Sequence, residues 1–285
     1  MAFIDAAVLA AAGFTDEIAP RNASVVVSVA GVEGTGKTSW SLTAPKPLLY
    51  QGTDFGTDGV IQRFASAGQI IRPRGPDGKP REYRVNIPHE YRAFVDRAET
   101  DKERQVREGK LAEFVHTHFY QPFYDDYKKG IEAGVRTAVW DTALEVWEYI
   151  RLSVYGRAAT NRDDLKTEAN AKMKELIRLA NLHNVNLIMV NRLKPKWEMY
   201  YVGDTPKWRQ TTEQEMQGYD KAPELVAINL WTKMTPAPVG TEDRTPTFEF
   251  VIKKCRDNVE FVGSTLPALP FEELMAMLIP GVEKW

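Results

Sequence analysis

Residues 31–38, Gly31-Val32-Glu33-Gly34-Thr35-Gly36-Lys37-Thr38, satisfy the pattern G-x-x-x-x-G-K-[ST] in full. That spacing suits a phosphate cradle. Glycines let successive backbone N–H groups turn inward around an anion. A helix that starts where the loop ends points its positive terminus at the same anion. Lys37 then reaches the β- and γ-oxygens, and the Thr38 hydroxyl is placed to bind Mg²⁺. The expected ATP-binding set is Gly31, Glu33, Gly34, Thr35, Gly36, Lys37, Thr38 and Ser39. A β-branched apolar run precedes the loop and a helix start follows it, which weighs against a chance match in a glycine-rich turn.

A phosphate loop needs a carboxylate on a neighbouring strand to hold Mg²⁺. Asp141, which ends Thr137–Asp141, is the candidate; the plain alternative is a helix N-cap at Asp141 or Thr142. Asp141 is followed by Thr142, so the Asp-Glu pair of many mechanical ATPases is missing, and Glu145 reads as solvated or packed. Hydrolysis also requires a group that orients or deprotonates water. Asp54 lies just past the second expected strand, and its alternative is an Asx turn before Gly56. Asn191 ends the run Val185–Asn191, where an amide could sense a γ-phosphate or simply satisfy the backbone. Lys37, Asp54, Asp141 and Asn191 form the expected catalytic set.

Two further constellations carry charge. Residues 192–209 hold Arg192, Lys194, Lys196, Lys207 and Arg209 against Glu198 and Asp204, interleaved with Trp197, Tyr200, Tyr201 and Trp208. Cations for phosphates and planar rings for bases make up a single-strand-binding surface. The competing reading is a β-hairpin turning at Gly203-Asp204 with its aromatics packed across the strands. A second basic stretch, Arg72 to Arg84, reads as a solvated turn. Lys254 and Arg256 fall on one face of a strand by the period of two. They repel unless an anion lies between them, such as a γ-phosphate held by a neighbouring subunit; otherwise they guard an exposed edge.

The elements that must position these groups alternate. Strands are expected at 23–30, 45–51, 137–141 and 185–191, with helices at 37–44, 143–155 and 163–182. This predicts a mostly parallel sheet flanked by helices. Runs 225–234 and 245–256 add antiparallel strands late in the chain, and a short helix follows at 271–279. Strands are also expected at 69–72 and 82–87, and 88–130 reads as helical with a break near Pro122. No linker is evident, so a single domain is expected over 1–285, with its core at about 23–256 and a helical insertion at about 73–130. The 285 residues carry a net charge of −2, which is not that of a nucleic-acid coat; any such contact must be local. One cysteine, Cys255, excludes an internal disulfide framework and a cysteine-only zinc site. No apolar run reaches the roughly 18 residues of a membrane helix, and the N-terminal stretch, carrying Asp5 and no basic leader, does not read as a signal peptide.

Gly31–Ser39, then Pro45-Lys46-Pro47-Leu48-Leu49-Tyr50, Asp54 and Gly56, resemble the phage-encoded RecA-like nucleotide-binding proteins, including the Sak-type single-strand annealing ATPases. The strand ending at Asp141, the long helix 163–182 and the strand ending at Asn191 follow in the family's order. The resemblance implies an α/β RecA-like P-loop NTPase core, binding ATP and Mg²⁺ and acting on single-stranded DNA in phage recombination or replication. It implies that Lys37 and Thr38 bind phosphate and Mg²⁺, with Asp141 as the Walker B aspartate. Asn191 would couple ATP to a DNA loop at 192–220, with contacts expected from Arg192, Lys194, Lys196, Trp197, Trp208 and Arg209. Lys254 and Arg256 would reach ATP across a subunit interface. A homo-oligomeric ring or filament in the bacterial host cytoplasm is expected, with a single-strand DNA-binding protein as a further partner and no membrane. The family usually has Glu where Asp54 stands. Two other readings stay open. One is a small-molecule or nucleotide kinase whose lid is Arg72–Arg84; the other is an ATP-gated assembly protein with little hydrolysis.

Overall fold

The computed structural model describes residues 24–53, 57–64, 68–81, 83, 100–156, 162–237 and 246–282. In chain order the strands are β1 (Val26–Gly31), β2 (Leu48–Gly52), β3 (Ile70–Ile71), β4 (Thr137–Asp141), β5 (Asn186–Val202), β6 (Thr205–Met216), β7 (Ile228–Thr235), β8 (Thr247–Cys255) and β9 (Thr265–Pro267). The helices are α1 (Lys37–Ser41), α2 (Asp58–Phe64), α3 (Asp101–Val115), α4 (Gln121–Glu132), α5 (Ala143–Tyr155), α6 (Asp163–Leu182), α7 (Ala222–Leu225) and α8 (Phe271–Leu278). The strands form one sheet in the order β3-β2-β4-β5-β1-β7-β8-β9, with β6 paired to β5 off that path. From β3 to β7 the strands are parallel; β8 and β9 extend that edge antiparallel. This is the architecture that the resemblance implies: a mostly parallel sheet flanked by helices, with antiparallel strands late in the chain. β5 lies between β1, which leads into the phosphate loop, and β4, which ends at Asp141.

β1, β2 and β4 are short, apolar and almost wholly buried, as strands covered on both faces must be. Alternation along them separates two cores. Val26, Leu49, Ala138, Trp140, Leu187 and Met189 face α4, α5 and α6. Val27, Val29, Tyr50, Val139, Ile188 and Val190 face α1, α2 and α8. This parity decides which side chains can meet the phosphate loop, because α1 lies on the second face.

The expected helical insertion departs from its reading at one point. α3, a π-helical turn (His116–Tyr120) and α4 follow without interruption, so there is no break near Pro122. Pro122 sits in the first turn of α4, where its missing N–H is tolerated. The π turn absorbs the irregularity, with the Gln121 N–H reaching back to the His116 carbonyl. The Thr100 side chain caps the start of α3 by accepting from the Glu103 N–H at 3.2 Å. Of the strand expected at 82–87, only Tyr83 is among the described residues; its hydroxyl donates to Asp126 at 2.6 Å. Among the described residues no helix is long and apolar enough to cross a membrane.

Candidate nucleotide and metal site

β1 ends at Gly31 between β5 and β7, and the loop turns back into α1 through Gly34 and Gly36, both at φ +77°. That left-handed backbone favours glycine. The Lys37 ammonium, almost wholly buried, donates to the Gly31 carbonyl at 3.0 Å and the Val32 carbonyl at 2.7 Å. β7 braces the loop: the Thr232 and Thr35 hydroxyls are 2.6 Å apart, and Thr232 also lies 3.3 Å from the Ala30 carbonyl. A Cβ on Gly31 would stand 1.8 Å from the Thr232 hydroxyl oxygen, so the first glycine of the motif is required by packing.

Asp141 shares the face that α1 covers, with Val139 and Tyr50. The Thr38 hydroxyl donates to Asp141 Oδ2 at 2.6 Å, and the Tyr50 hydroxyl donates to the same oxygen at 2.8 Å. Burial, then the Asp141 charge and hydrogen bond, push the Tyr50 phenol far above its ordinary range, so it remains a donor at any working pH. Thr53 stitches β2 to the end of β4. Its N–H donates to the Asp141 carbonyl at 2.6 Å, and its hydroxyl accepts from the Thr142 N–H at 2.7 Å. The Asp141–Thr142 peptide is cis. Thr142 takes the N-cap position of α5 with extended backbone but makes no side-chain cap bond. Capping therefore leaves the Asp141 carboxylate to the site.

A cavity of about 310 Å³ opens here, lined by Glu33, Lys37, Thr38, Asp141, Thr142 and Arg192, among others. A hydroxyl and a carboxylate in contact are the protein's share of a Mg²⁺ site whose remaining ligands come from phosphate and water. Among the described residues no group of three or more His, Cys, Asp or Glu gathers anywhere. The donor set thus fits a metal bound together with phosphates rather than a self-contained cage.

The other expected catalytic residues stand differently. Asp54 lies outside the described residues. Asn191 does not line the cavity: counted by two from Leu187 and Met189, it falls on the face opposite α1. Its amide donates to Ser28 Oγ at 3.0 Å and to the Met189 carbonyl at 3.1 Å, the strand-satisfying role. Its neighbour Arg192, on the correct face, enters the cavity instead, and its guanidinium lies 3.5 Å from the Glu33 carboxylate of the loop. Lys254, on β8, and Arg256, just past its end, both turn toward residues 223–226, and within the chain the partners they meet there are carbonyls. Lys254 donates to those of Pro223 and Glu224 at 2.6 and 3.0 Å, and Arg256 to that of Val226 at 3.5 Å. They thus meet the carbonyl end of α7. Burial, then the Arg256 charge, hold the Lys254 ammonium below its ordinary value.

Residues 192–216 form the hairpin alternative, a two-stranded ribbon turning at Gly203-Asp204. Directly opposed pairs put Trp197, Met199, Tyr201, Pro206 and Trp208 on one face. Trp197, Tyr201 and Trp208 are each more than half exposed, so the rings do not bury one another. The cations expected among them go elsewhere. Lys194 pairs with Glu215 at 3.1 Å, Lys196 with Glu213 at 2.9 Å, and Arg209 with Glu198 at 3.6 Å, leaning over the Tyr200 ring. Trp197, Tyr201 and Trp208 thus take one face of the ribbon, while Glu198, Lys207 and Arg209 take the other together with the Tyr200 ring. In the proposed lid, Arg72 pairs with Asp58 at 2.5 Å and Arg81 with Asp126 at 2.9 Å, while Arg84 lies outside the described residues.

Three site residues escaped the sequence reading in these roles: Tyr50, Arg192 and Thr232. For the first two a signal existed, since counting by two along β2 and β5 places them on the loop's side. Thr232 is 197 residues from Thr35, and no local pattern announces that contact. No protein-family model matches the chain, and no curated protein matches it significantly. A solved structure to which it is similar is a KaiC-like protein from the hyperthermophilic archaeon Pyrococcus horikoshii. The two are 11% identical over 85% of this chain and 84% of that one, with a TM-score of 0.40, so the site's own geometry has to carry the functional argument.

Proposed function

We propose that the chain is a Mg²⁺-dependent ATPase of the RecA-like P-loop class, acting on single-stranded DNA in recombination or replication. The observation that carries the ATPase reading is the contact of Thr38 Oγ1 with Asp141 Oδ2 at 2.6 Å, directly behind a complete phosphate loop. The chemistry Mg²⁺ would supply there is neutralisation of the charge that develops on the phosphates. The chain's own part is positioning. The loop N–H groups and Lys37 would hold the triphosphate, Thr38 and Asp141 would hold the metal, and Tyr50 and Thr53 keep Asp141 in place. Arg192 would reach the outermost phosphate from β5. Asp54, following the Thr53 anchor, is the proposed carboxylate for the attacking water.

The DNA part rests on the ribbon. Its Trp197, Trp208 and Tyr201 rings advance along one face by about two residues per ring, or roughly 7 Å, a step an extended single strand can match base by base. β5 carries both Arg192 and Trp197, so the cavity and the ring face belong to one strand. The test is phosphate release with and without single-stranded DNA, for the native chain and Lys37→Ala. The expected result is DNA-stimulated turnover that falls about a hundredfold or more in the variant. Turnover that survives the substitution would overturn the ATPase reading, and turnover indifferent to DNA would overturn the DNA reading alone.

A further inference from the structure

Among the described residues, every strongly exposed tryptophan, tyrosine or phenylalanine ring lies on the β5–β6 ribbon: Trp197, Tyr200, Tyr201 and Trp208. Successive cross-strand pairs on the ring face are Trp197 with Gln210, Met199 with Trp208, and Tyr201 with Pro206. Each pair carries one aromatic ring, and none carries a charge. The ring face is therefore a stack of three uncharged steps.

The ribbon as a whole is neutral. Residues 193–216 carry Lys194, Lys196, Lys207 and Arg209 against Glu198, Asp204, Glu213 and Glu215. Three of the four cations meet a carboxylate of the ribbon itself: Lys194 on Glu215, Lys196 on Glu213 and Arg209 on Glu198. Lys207 stands across from Tyr200, on the face opposite the rings, and has no ion-pair partner among the described residues. Arg192, at the ribbon's root, lines the nucleotide cavity. This pairing decides how the ribbon can hold a polyanion. The salt dependence of nucleic-acid binding counts the phosphates neutralised on balance, because each neutralised phosphate releases condensed counterions. A lysine that leaves a glutamate for a phosphate neutralises nothing on balance. The freed carboxylate takes up a counterion of its own and stands beside the backbone, which it repels.

We infer that the ribbon holds a single strand by its bases, one at each step of the ring face, and leaves the phosphates in solvent, so that its affinity is nearly independent of salt. The inference rests on the DNA reading above and gives that surface an unusual character. Single-strand sites ordinarily combine stacking with a positively charged groove that tracks the backbone, and their affinities fall steeply as salt rises. Here the stacking half is present and the groove is cancelled by Glu198, Glu213 and Glu215.

Fluorescence anisotropy with the full chain tests it, using a labelled oligothymidylate and an abasic strand of the same length as probes, between about 50 and 500 mM NaCl. With Lys207 as the one unmatched cation, the slope of log affinity against log salt is at most about 0.7, so the tenfold rise in salt weakens oligothymidylate binding about fivefold or less. Five phosphate contacts, one for each cation from Arg192 to Arg209, would instead give a loss of about three-thousandfold. The abasic strand keeps the phosphates and lacks the bases, and it should not bind. Glu213→Gln, at an exposed position, leaves the ribbon one positive charge and should steepen the slope by about 0.7. Weakening of the native chain by more than about thirtyfold over that range would overturn the inference, since two or more phosphates would then be neutralised. So would an abasic strand that binds as tightly as the oligothymidylate. Both comparisons use the native chain and decide even if a variant does not fold. Failure of the DNA reading itself looks different: neither strand binds at either end of the salt range.

Discussion

Replacing Tyr50 by Phe removes one oxygen atom and no packing volume from the centre of the site. Tyr50 is 1% exposed, and its hydroxyl donates to the Asp141 oxygen that also accepts from Thr38. Two effects follow and can be measured apart. The first is stability. A buried hydrogen bond to a charged group contributes about 1.5–3 kcal/mol, which in a domain of this size lowers the melting temperature by about 3–10 °C. The second is metal affinity. Tyr50 would not touch the metal; it holds the carboxylate that would, and loss of such a partner typically costs about 10–100-fold in metal affinity or activity. The assay is a Mg²⁺ titration of ATP turnover beside a thermal melt, with nucleotide binding in EDTA as the control. The half-saturating Mg²⁺ concentration should rise at least about tenfold while Mg²⁺-free nucleotide binding changes little. A melt that falls by several degrees with an unchanged Mg²⁺ midpoint would refute the positioning role and leave Tyr50 as a core residue.

Gly31→Ala should prevent the loop from closing, because its Cβ would stand 1.8 Å from the Thr232 hydroxyl oxygen; Gly31→Ala combined with Thr232→Ala should recover part of the lost thermal stability. Arg192→Ala should lower ATP turnover about tenfold or more while moving the melting temperature little, because the Glu33 partner is 83% exposed and such pairs contribute under about 1 kcal/mol. Asn191→Ala should do the reverse, destabilising the fold by about 1–3 kcal/mol through the buried Ser28 hydroxyl while sparing kcat of the folded fraction. Trp197→Ala or Trp208→Ala should weaken single-stranded DNA binding by about 1–3 kcal/mol each, whereas Lys196→Ala should cost under about 1 kcal/mol because Glu213 already occupies that ammonium.

What the sequence makes legible here is local. The phosphate loop is contiguous, and the runs that became β1, β2, β4 and the core of β5 are continuous apolar segments of strand length, so their order and parallel packing follow from pattern alone. Asp141 could be placed because it terminates such a run. Asn191 and Arg192 are neighbours on β5, and the pleat sends one to each face, so only the count from Ile188 and Val190 places the arginine rather than the amide in the cavity. The ribbon follows the same rule on a larger scale, since alternation along the chain becomes separation across it. Two features had no local signal at all. The register shift between Pro195 and Trp197 depends on how β6 pairs, and the Thr35–Thr232 brace depends on β7 returning beside β1.

The weakness of the Arg192–Glu33 contact is what suits it to signalling on the proposed reading. The partners are 37% and 83% exposed, so their mutual attraction is screened and small, and exchanging Glu33 for a phosphate oxygen would cost little. The gain on the other side would be larger, because a guanidinium meets a phosphate through paired, charge-assisted hydrogen bonds inside a partly enclosed cavity. A ligand shifts an equilibrium only by its differential affinity for the two arrangements, and a weak resting pair against a strong bound one maximises that difference. β5 would carry the consequence outward. Up to Val190 it is paired on both sides, with β1 and β4, and beyond Arg192 its strand partner among the described residues is β6 alone, so Arg192 stands where the strand passes from rigid sheet to two-stranded ribbon. A pull applied there would move the Trp197, Trp208 and Tyr201 face rather than the core. For that reason Arg192→Ala should uncouple the ribbon's tryptophan fluorescence from added nucleotide. If the fluorescence response of Arg192→Ala to ATP matches that of the native chain, the coupling does not pass through this strand.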